Sequence, residues 1–174
     1  MIVAVLAGGR SRRMGRPKAT LEFEGGPLIA RPLAAAAAAG LDAVVVAKRG
    51  SELPPLDVEV WHEPDEPTHP LAGIVAALER GGPVIAVACD MPYVTPEALT
   101  ALAGRAGPAA PRVGGRLEPF PARYEPASLP ILRAALERQA PLRAALAELA
   151  PEEIELDARV VTSLNTPEEL HGRA

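Results

Sequence analysis

The sequence predicts an α/β fold in which a mostly parallel, doubly wound sheet is covered by helices on both faces. Three observations predict it. Four short runs, residues 2–6 (IVAVL), 43–47 (AVVVA), 58–61 (VEVW) and 84–88 (VIAVA), are apolar almost throughout, and such runs suit parallel strands buried on both sides. Helical stretches separate them, which is the β-α-β pattern of a doubly wound sheet. The chain of 174 residues is 48% hydrophobic and 23% charged. That is globular composition, long enough for one substantial core and short for two, so a single domain over residues 1–174 is expected.

The first strand candidate, IVAVL, ends at Gly8-Gly9. Residues 27–40 (PLIARPLAAAAAAG) read as a helix with six consecutive alanines and a closing glycine. Pro32 falls inside it and predicts either a kink or a helix that begins at Pro32. Residues 71–82 (LAGIVAALERGG) form the second helix candidate. Residues 95–105 form the third, with Thr95 as N-cap, Pro96 in the first helical position and Glu97 in the first turn. After Arg105 the texture changes. Gly114-Gly115 between two extended segments reads as a hairpin, two helical stretches come next at 128–139 and 141–150, and IEL (154–156) is a last strand candidate. Asn165 or Thr166 caps a final helix that opens TPEEL. The second half is read as an extension of the same sheet, including an antiparallel strand.

Composition excludes several function classes. A formal net charge of −4 gives no general reason to bind nucleic acid or an anionic membrane, and aromatic residues at 3% supply few platforms for stacking bases. The single cysteine, Cys89, cannot form an intrachain disulfide and lies in an apolar run where a buried, inert thiol is expected. No run approaches about 18 uninterrupted apolar residues. The N-terminus lacks the basic region and cleavage site of a signal peptide, so the cytoplasm is the expected compartment.

In open α/β sheets ligands gather at the carboxyl ends of the strands, and four loops there carry the chemistry. The first is LAGGRSRRMGRPK, with five basic residues in the nine positions after Gly9. Gly8 and Gly9 let the backbone pass close to a ligand and aim N–H groups at it, while Arg12, Arg13 and Lys18 can clamp a polyphosphate. The spacing is neither that of a Walker A loop nor that of the dinucleotide fingerprint; the competing reading is a solvated basic loop. The second loop, HEPDEPTHPLAG, offers Glu63, Asp65 and Glu66, carboxylates able to accept from a base amino group or ribose hydroxyls. His62 and His69 are too few and too irregularly placed for a metal site. The third, ACDMPY, places Asp90 directly after a buried run. An aspartate there is ordinarily a cap or turn residue, but opposite a basic polyphosphate loop it suits Mg²⁺, which takes one or two carboxylates and completes its shell with water and phosphate oxygens. The fourth is SLNTPEEL, explained by capping alone.

Taken together, LAGGRSRRMGRPK, HPLAGI, CDMP, EPFPARY and LNTPEEL resemble, in that order and over nearly the whole chain, the molybdenum cofactor guanylyltransferases (MobA) within the wider nucleotidyltransferase superfamily. The resemblance implies a Rossmann-like three-layer sandwich of the nucleotide-diphospho-sugar transferase type. It implies transfer of GMP from GTP to the molybdopterin cofactor carrying molybdenum, with release of pyrophosphate and Mg²⁺ as cofactor. Cofactor-delivering or molybdoenzyme-maturation proteins are candidate partners. Carried onto this chain, Leu6, Ala7 and Gly8 would contact guanine through their backbone, Lys18 would bind the nucleotide, Asp65 would help hold guanosine, and Asp90 would bind Mg²⁺ and the phosphates. Arg13, Lys18 and Asp90 would be the catalytic set, and Asn165 would face the pterin.

Two departures bear on these matches. Ser163 stands where family members often carry a second asparagine. The loop before PLAG is shorter than the usual PGxGPLAG form, with Thr68-His69 in place of glycines, so Glu63 is an alternative match to Asp65. Relatives acting with CTP tend to have LAAG where this chain has LAGG, and Gly8 therefore favours GTP over the alternative of a cytidylyltransferase. A non-catalytic nucleotide-binding module would be expected to lack Lys18 or Asp90, and both are present. Nucleotidyl transfer also explains why no catalytic His or Cys constellation is found, since positioning and charge neutralisation do most of the work.

Overall fold

A computed structural model of the chain describes residues 1–9, 17–166 and 169. Strand β1 (Ile2–Leu6) alternates its side chains between two cores, Val3 and Val5 on one face and Ala4 on the other, as the two-residue period of a strand requires. A short hairpin, β2 (Glu22–Phe23) and β3 (Gly26–Pro27), precedes helix α1 (Ala30–Ala38). Pro32 is the third helical residue and buried. The helix begins two residues before it and does not kink, because a nitrogen in the first turn has no intrahelical acceptor to lose. Strand β4 (Asp42–Ala47) is next, then β5 (Glu59–His62), one residue later than the apolar pattern predicts.

Helix α2 (Pro70–Glu79) is almost wholly buried. It starts on Pro70, and the preceding His69 caps it: the imidazole Nδ1 accepts from the Leu71 N–H at 3.2 Å. Strand β6 (Val84–Ala88) leads to α3 (Pro96–Ala103), where Thr95 accepts from the Ala98 N–H at 3.2 Å, as its sequence predicts. Strands β7 (Ala109–Val113) and β8 (Arg116–Leu117) form the expected hairpin. Gly114 and Gly115 take φ of 55° and 78°, the left-handed pair that a two-residue hairpin turn needs. Then come β9 (Ala122–Tyr124), α4 (Leu129–Glu137), α5 (Leu142–Glu148) and β10 (Glu152–Ile154), the last two residues earlier than IEL. Apart from residue 169, the final helix anticipated after Thr166 lies outside the described residues.

The sheet order is β10-β7-β9-β6-β1-β4-β5, with β8 on β7. β9 runs antiparallel to both β6 and β7, and the remaining neighbours along that path are parallel. Helices α2, α4 and α5 pack one face through Leu71, Ile74, Leu78, Leu132 and Leu146. Helices α1 and α3 pack the other through Ala35, Ala36, Leu99 and Leu102. The result is a three-layer α/β sandwich, matching the fold class expected from the sequence.

Tyr124 on β9 is fully buried, and its hydroxyl donates to the Pro119 carbonyl at 3.0 Å. Burial raises its pKa. Tyr124→Phe leaves that carbonyl without its donor, so a loss of about 1 kcal/mol is expected, read as a fall in urea midpoint at unchanged slope.

Candidate active site

The register sets the site. Leu6 lies opposite both Val46 and Ala88, and Ala47 lies opposite His62. Four parallel strands therefore end nearly level, and the residues that succeed them emerge on one edge of the sheet: Ala7 and Gly8 after β1, Lys48 after β4, Glu63 after β5, Asp90 after β6. These residues line one cleft of about 990 Å³, with Leu6, Lys18, Asp65, His69, Phe120 and Asn165 in its wall. The structure thus brings together Leu6, Ala7, Gly8, Lys18, Asp65 and Asp90 from the expected site. Arg13, with Arg12, lies outside the described residues.

At the centre, Lys18 opens a short 3₁₀ turn (Lys18–Thr20) and reaches across the cleft. Its ammonium donates to Asp90 Oδ2 at 2.5 Å and to Asn165 Oδ1 at 2.8 Å. The other carboxylate oxygen, Asp90 Oδ1, is buried and has no hydrogen-bond partner among the described residues. Such an orphan is costly unless a ligand takes it. The C-terminal segment is pinned over this pair. The Leu164 N–H donates to the Asp90 carbonyl at 2.9 Å, and the Asn165 amide donates to the Ser163 carbonyl at 3.2 Å. Leu164 itself packs with Phe23 and Leu28, beside Tyr93, whose ring meets Phe23 edge-on and carries the Arg159 guanidinium 4.5 Å from its centroid. The Thr166 hydroxyl accepts from the Glu169 N–H at 3.3 Å, while the Glu169 carboxylate accepts from the Asn165 and Thr166 N–H groups, the reciprocal pattern of a capping box. The Asn165 side chain is left for the cleft.

Glu63 and Asp65, the two acids left open by the sequence, are treated differently. Glu63 is buried, its carboxyl seated between two glycines. A β-carbon on Gly8 would stand 1.6 Å from Glu63 Oε1, and one on Gly73 would stand 2.9 Å from Oε2. Burial pushes this carboxyl from 4.5 up to about 7, against the pull of the Lys48 charge. Folding therefore favours its neutral form, and the stability it contributes below pH 4.5 is lost as pH rises through about 7. Asp65 is exposed on the rim. Its carbonyl accepts from Lys48 Nζ, which also donates to Thr68 Oγ1 at 3.2 Å.

The expected burial of Cys89 is met. Burial, then the Asp90 charge, pushes the Cys89 thiol up to about 12, so it is inert. The His69 imidazole is engaged as a cap, burial lowering its pKa against a hydrogen bond to the Ala140 backbone. Among the described residues no three His, Cys, Asp or Glu side chains cluster to hold a metal by themselves. Sequence reasoning missed Lys48. The signal was available: Lys48-Arg49-Gly50 comes directly after an apolar strand just as the recognised loops do.

An ammonium on a half-open carboxylate and a carboxyl seated between two glycines stand at the carboxyl edge of a mostly parallel sheet, the crevice in which open α/β domains take their ligands. A family model, the MobA-like NTP transferase domain, matches residues 3–154, and the chain belongs to that family. It is 34% identical over 184 aligned residues to the molybdenum cofactor guanylyltransferase of Rhodobacter capsulatus, covering 95% of this chain and 90% of that protein. A Mycobacterium tuberculosis protein named "Probable molybdenum cofactor guanylyltransferase" is 41% identical over 109 residues, 59% of this chain. Here the chain spans about half of the relative's length, 54%. The crystal structure of molybdopterin-guanine dinucleotide biosynthesis protein A from Archaeoglobus fulgidus superposes with a TM-score of 0.81 at 25% identity, covering 99% of this chain and 96% of that one. Among the described residues no helix is long and apolar enough to cross a membrane.

Proposed function

We propose that this protein transfers GMP from GTP to the terminal phosphate of the molybdopterin cofactor carrying molybdenum, releasing pyrophosphate. Family membership and the names of its relatives support the reaction. The observation that carries the choice of GTP is the Glu63 carboxyl in its two-glycine seat. An ionised carboxylate accepts two hydrogen bonds side by side, and the guanine edge offers N1–H and N2–H to it. An alanine at position 8 would put its methyl onto Glu63 Oε1 and displace the carboxyl, which gives Gly8 a physical part in base choice and speaks against the cytidylyl alternative. The backbone of Leu6, Ala7 and Gly8, which lines the cleft, is assigned to the base, and Asp65 on the rim is assigned to the ribose.

The triphosphate runs toward Lys18 and Asp90. The donor set fits Mg²⁺: Asp90 offers a buried oxygen, Oδ1, with no partner among the described residues, while the Lys18 ammonium held between Asp90 Oδ2 and the Asn165 amide oxygen marks a position that favours a cation. Mg²⁺ bound there would neutralise charge on the phosphates and polarise the reacting one. Lys18 holds the phosphate chain and meets the charge that develops on the leaving pyrophosphate; Arg13, from the same basic loop, is assigned to the triphosphate or the pterin phosphate. The acceptor oxygen is already anionic and needs no general base. Its bond to the α-phosphorus forms as the bond to the β-phosphate oxygen breaks, and pyrophosphate departs with the electron pair. With the nucleoside on the β4–β5 side, the acceptor is assigned to the other side of Asp90, where Phe120 lines the cleft. A cytoplasmic site of action goes with GTP as substrate.

Calorimetric titration with GTP, CTP, ATP and UTP, each with Mg²⁺, tests the reading. GTP is expected to bind selectively, and Lys18→Ala to weaken it at least about tenfold, the loss of one charge-assisted phosphate contact of about 1.5 kcal/mol. Preference for CTP would overturn the guanylyl assignment. Unchanged GTP binding in Lys18→Ala would remove the lysine from the site.

A further inference from the structure

The Lys18 ammonium spans the cleft from the end of β6 to the pinned C-terminal segment, 2.5 Å from Asp90 Oδ2 and 2.8 Å from Asn165 Oδ1. Asp90 keeps its other oxygen, Oδ1, buried and without a hydrogen-bond partner among the described residues. The lysine side chain is 20% exposed and the aspartate side chain 12%, so solvent screens the two charges poorly. Asn165 is neutral, and the single positive charge of Lys18 therefore cancels the single negative charge of Asp90. A carboxylate neutralised in this way attracts a divalent ion weakly. No three His, Cys, Asp or Glu side chains among the described residues cluster to make up the difference. Mg²⁺ takes one or two carboxylates and fills its shell with water and phosphate oxygens, so the missing negative charge here has to come from the nucleotide.

Resting on the reading of this cleft as a Mg²⁺-dependent nucleotidyl-transfer site, we propose that Lys18 excludes the free metal: its ammonium holds Asp90 against Mg²⁺ until a triphosphate draws it away, and metal is admitted only with the nucleotide. An ion on Oδ1 alone would share one carboxylate with the ammonium on Oδ2. Between a double and a single positive charge about 6 Å apart, repulsion in bulk water is worth about tenfold in affinity, and it is stronger in a poorly solvated cleft. The triphosphate reverses this. Its phosphates carry several negative charges and accept strong hydrogen bonds from an ammonium, and the four-carbon stem of lysine is flexible enough to follow them. Asn165 Oδ1 is a second, uncharged acceptor, so the ammonium can leave Asp90 without giving up every hydrogen bond it makes. Lys18 thus has two successive duties, guarding Asp90 first and holding the phosphates afterwards.

The test titrates Mn²⁺, as a paramagnetic probe for Mg²⁺, into the wild type, Lys18→Gln, Lys18→Met and Lys18→Arg at neutral pH without nucleotide, with free Mn²⁺ read by electron paramagnetic resonance. Glutamine keeps an amide donor for Asp90 and methionine keeps the apolar stem, so either neutral variant serves where the other fails to fold. Both are expected to bind Mn²⁺ at least about tenfold tighter than the wild type. Lys18→Arg, which keeps the charge, should bind it no tighter. Adding Asp90→Asn to Lys18→Gln should abolish the gain. Mg²⁺-GTP titrated into the same neutral variants should move in the opposite direction, weakening at least about tenfold with the lost phosphate contact. Neutral variants that bind free Mn²⁺ no tighter than the wild type would overturn the proposal, as would a gain that survives Asp90→Asn. Wild-type GTP binding that is the same with Mg²⁺ and with EDTA would instead remove the metal site on which the inference rests.

Discussion

Asp90→Ala is expected to lower Mg²⁺-dependent pyrophosphate release by at least about a thousandfold while the protein stays folded. The expectation comes from where the two carboxylate oxygens stand. One receives the Lys18 ammonium at 2.5 Å, and the other is buried without a partner among the described residues. A side chain kept for folding would have both oxygens satisfied. Alanine therefore removes a group whose unmet oxygen is a liability to the fold, and Lys18 still has Asn165 to donate to. Thermal midpoint and pyrophosphate release together check this. A variant with normal turnover would remove Asp90 from the phosphate and metal site, whereas a variant that unfolds would give the residue a structural part that its geometry does not support.

The second large effect is on stability. Arg123 on β9 is buried, and its guanidinium serves three acceptors: Glu125 Oε1 at 2.7 Å, the Ala103 carbonyl at 2.8 Å and the Arg105 carbonyl. The two carbonyls lie at the C-terminal end of α3, where the helix leaves its last acceptors unpaired and its dipole favours a cation. Arg123→Met keeps the apolar stem and deletes all three bonds, leaving Glu125 with an uncompensated charge in a poorly solvated place. About 3 kcal/mol of stability is expected to go, which for a chain of this size lowers the thermal midpoint by roughly 6–12 °C. Paired with Glu125→Gln, the loss should shrink, because the stranded charge is then absent. Differential scanning calorimetry of the two single variants and the double variant gives the coupling directly, and additive losses would contradict the buried-pair account.

The layered fold was legible because its signals are local. Buried parallel strands write continuous apolar runs, Thr95 caps and Gly114-Gly115 turns within a few residues, and each of these appears where the sequence puts it. The errors are of the size that local signals allow. β5 and β10 are displaced by one and two residues from their apolar patterns, because strand limits are decided by the neighbour's ladder and not by hydrophobicity. α1 starts before Pro32, because a proline in the first turn loses no bond.

For the site, the sequence by itself determined the ingredients: two glycines after the first strand, Lys18 in a basic loop, acids ahead of α2, and Asp90 at the end of β6. It could not choose between Glu63 and Asp65, and it did not single out Lys48. Those choices belong to the tertiary structure. Glu63 is the buried acid because β5 pairs with β4 in a register that aims it between Gly8 and Gly73. Lys18 meets Asn165 across 147 positions of chain because the C-terminal segment is pinned to the Asp90 carbonyl. Period and turn chemistry act over a few residues, whereas the meeting of strand ends is set by crossover connections and ladder register, which no local stretch of sequence encodes.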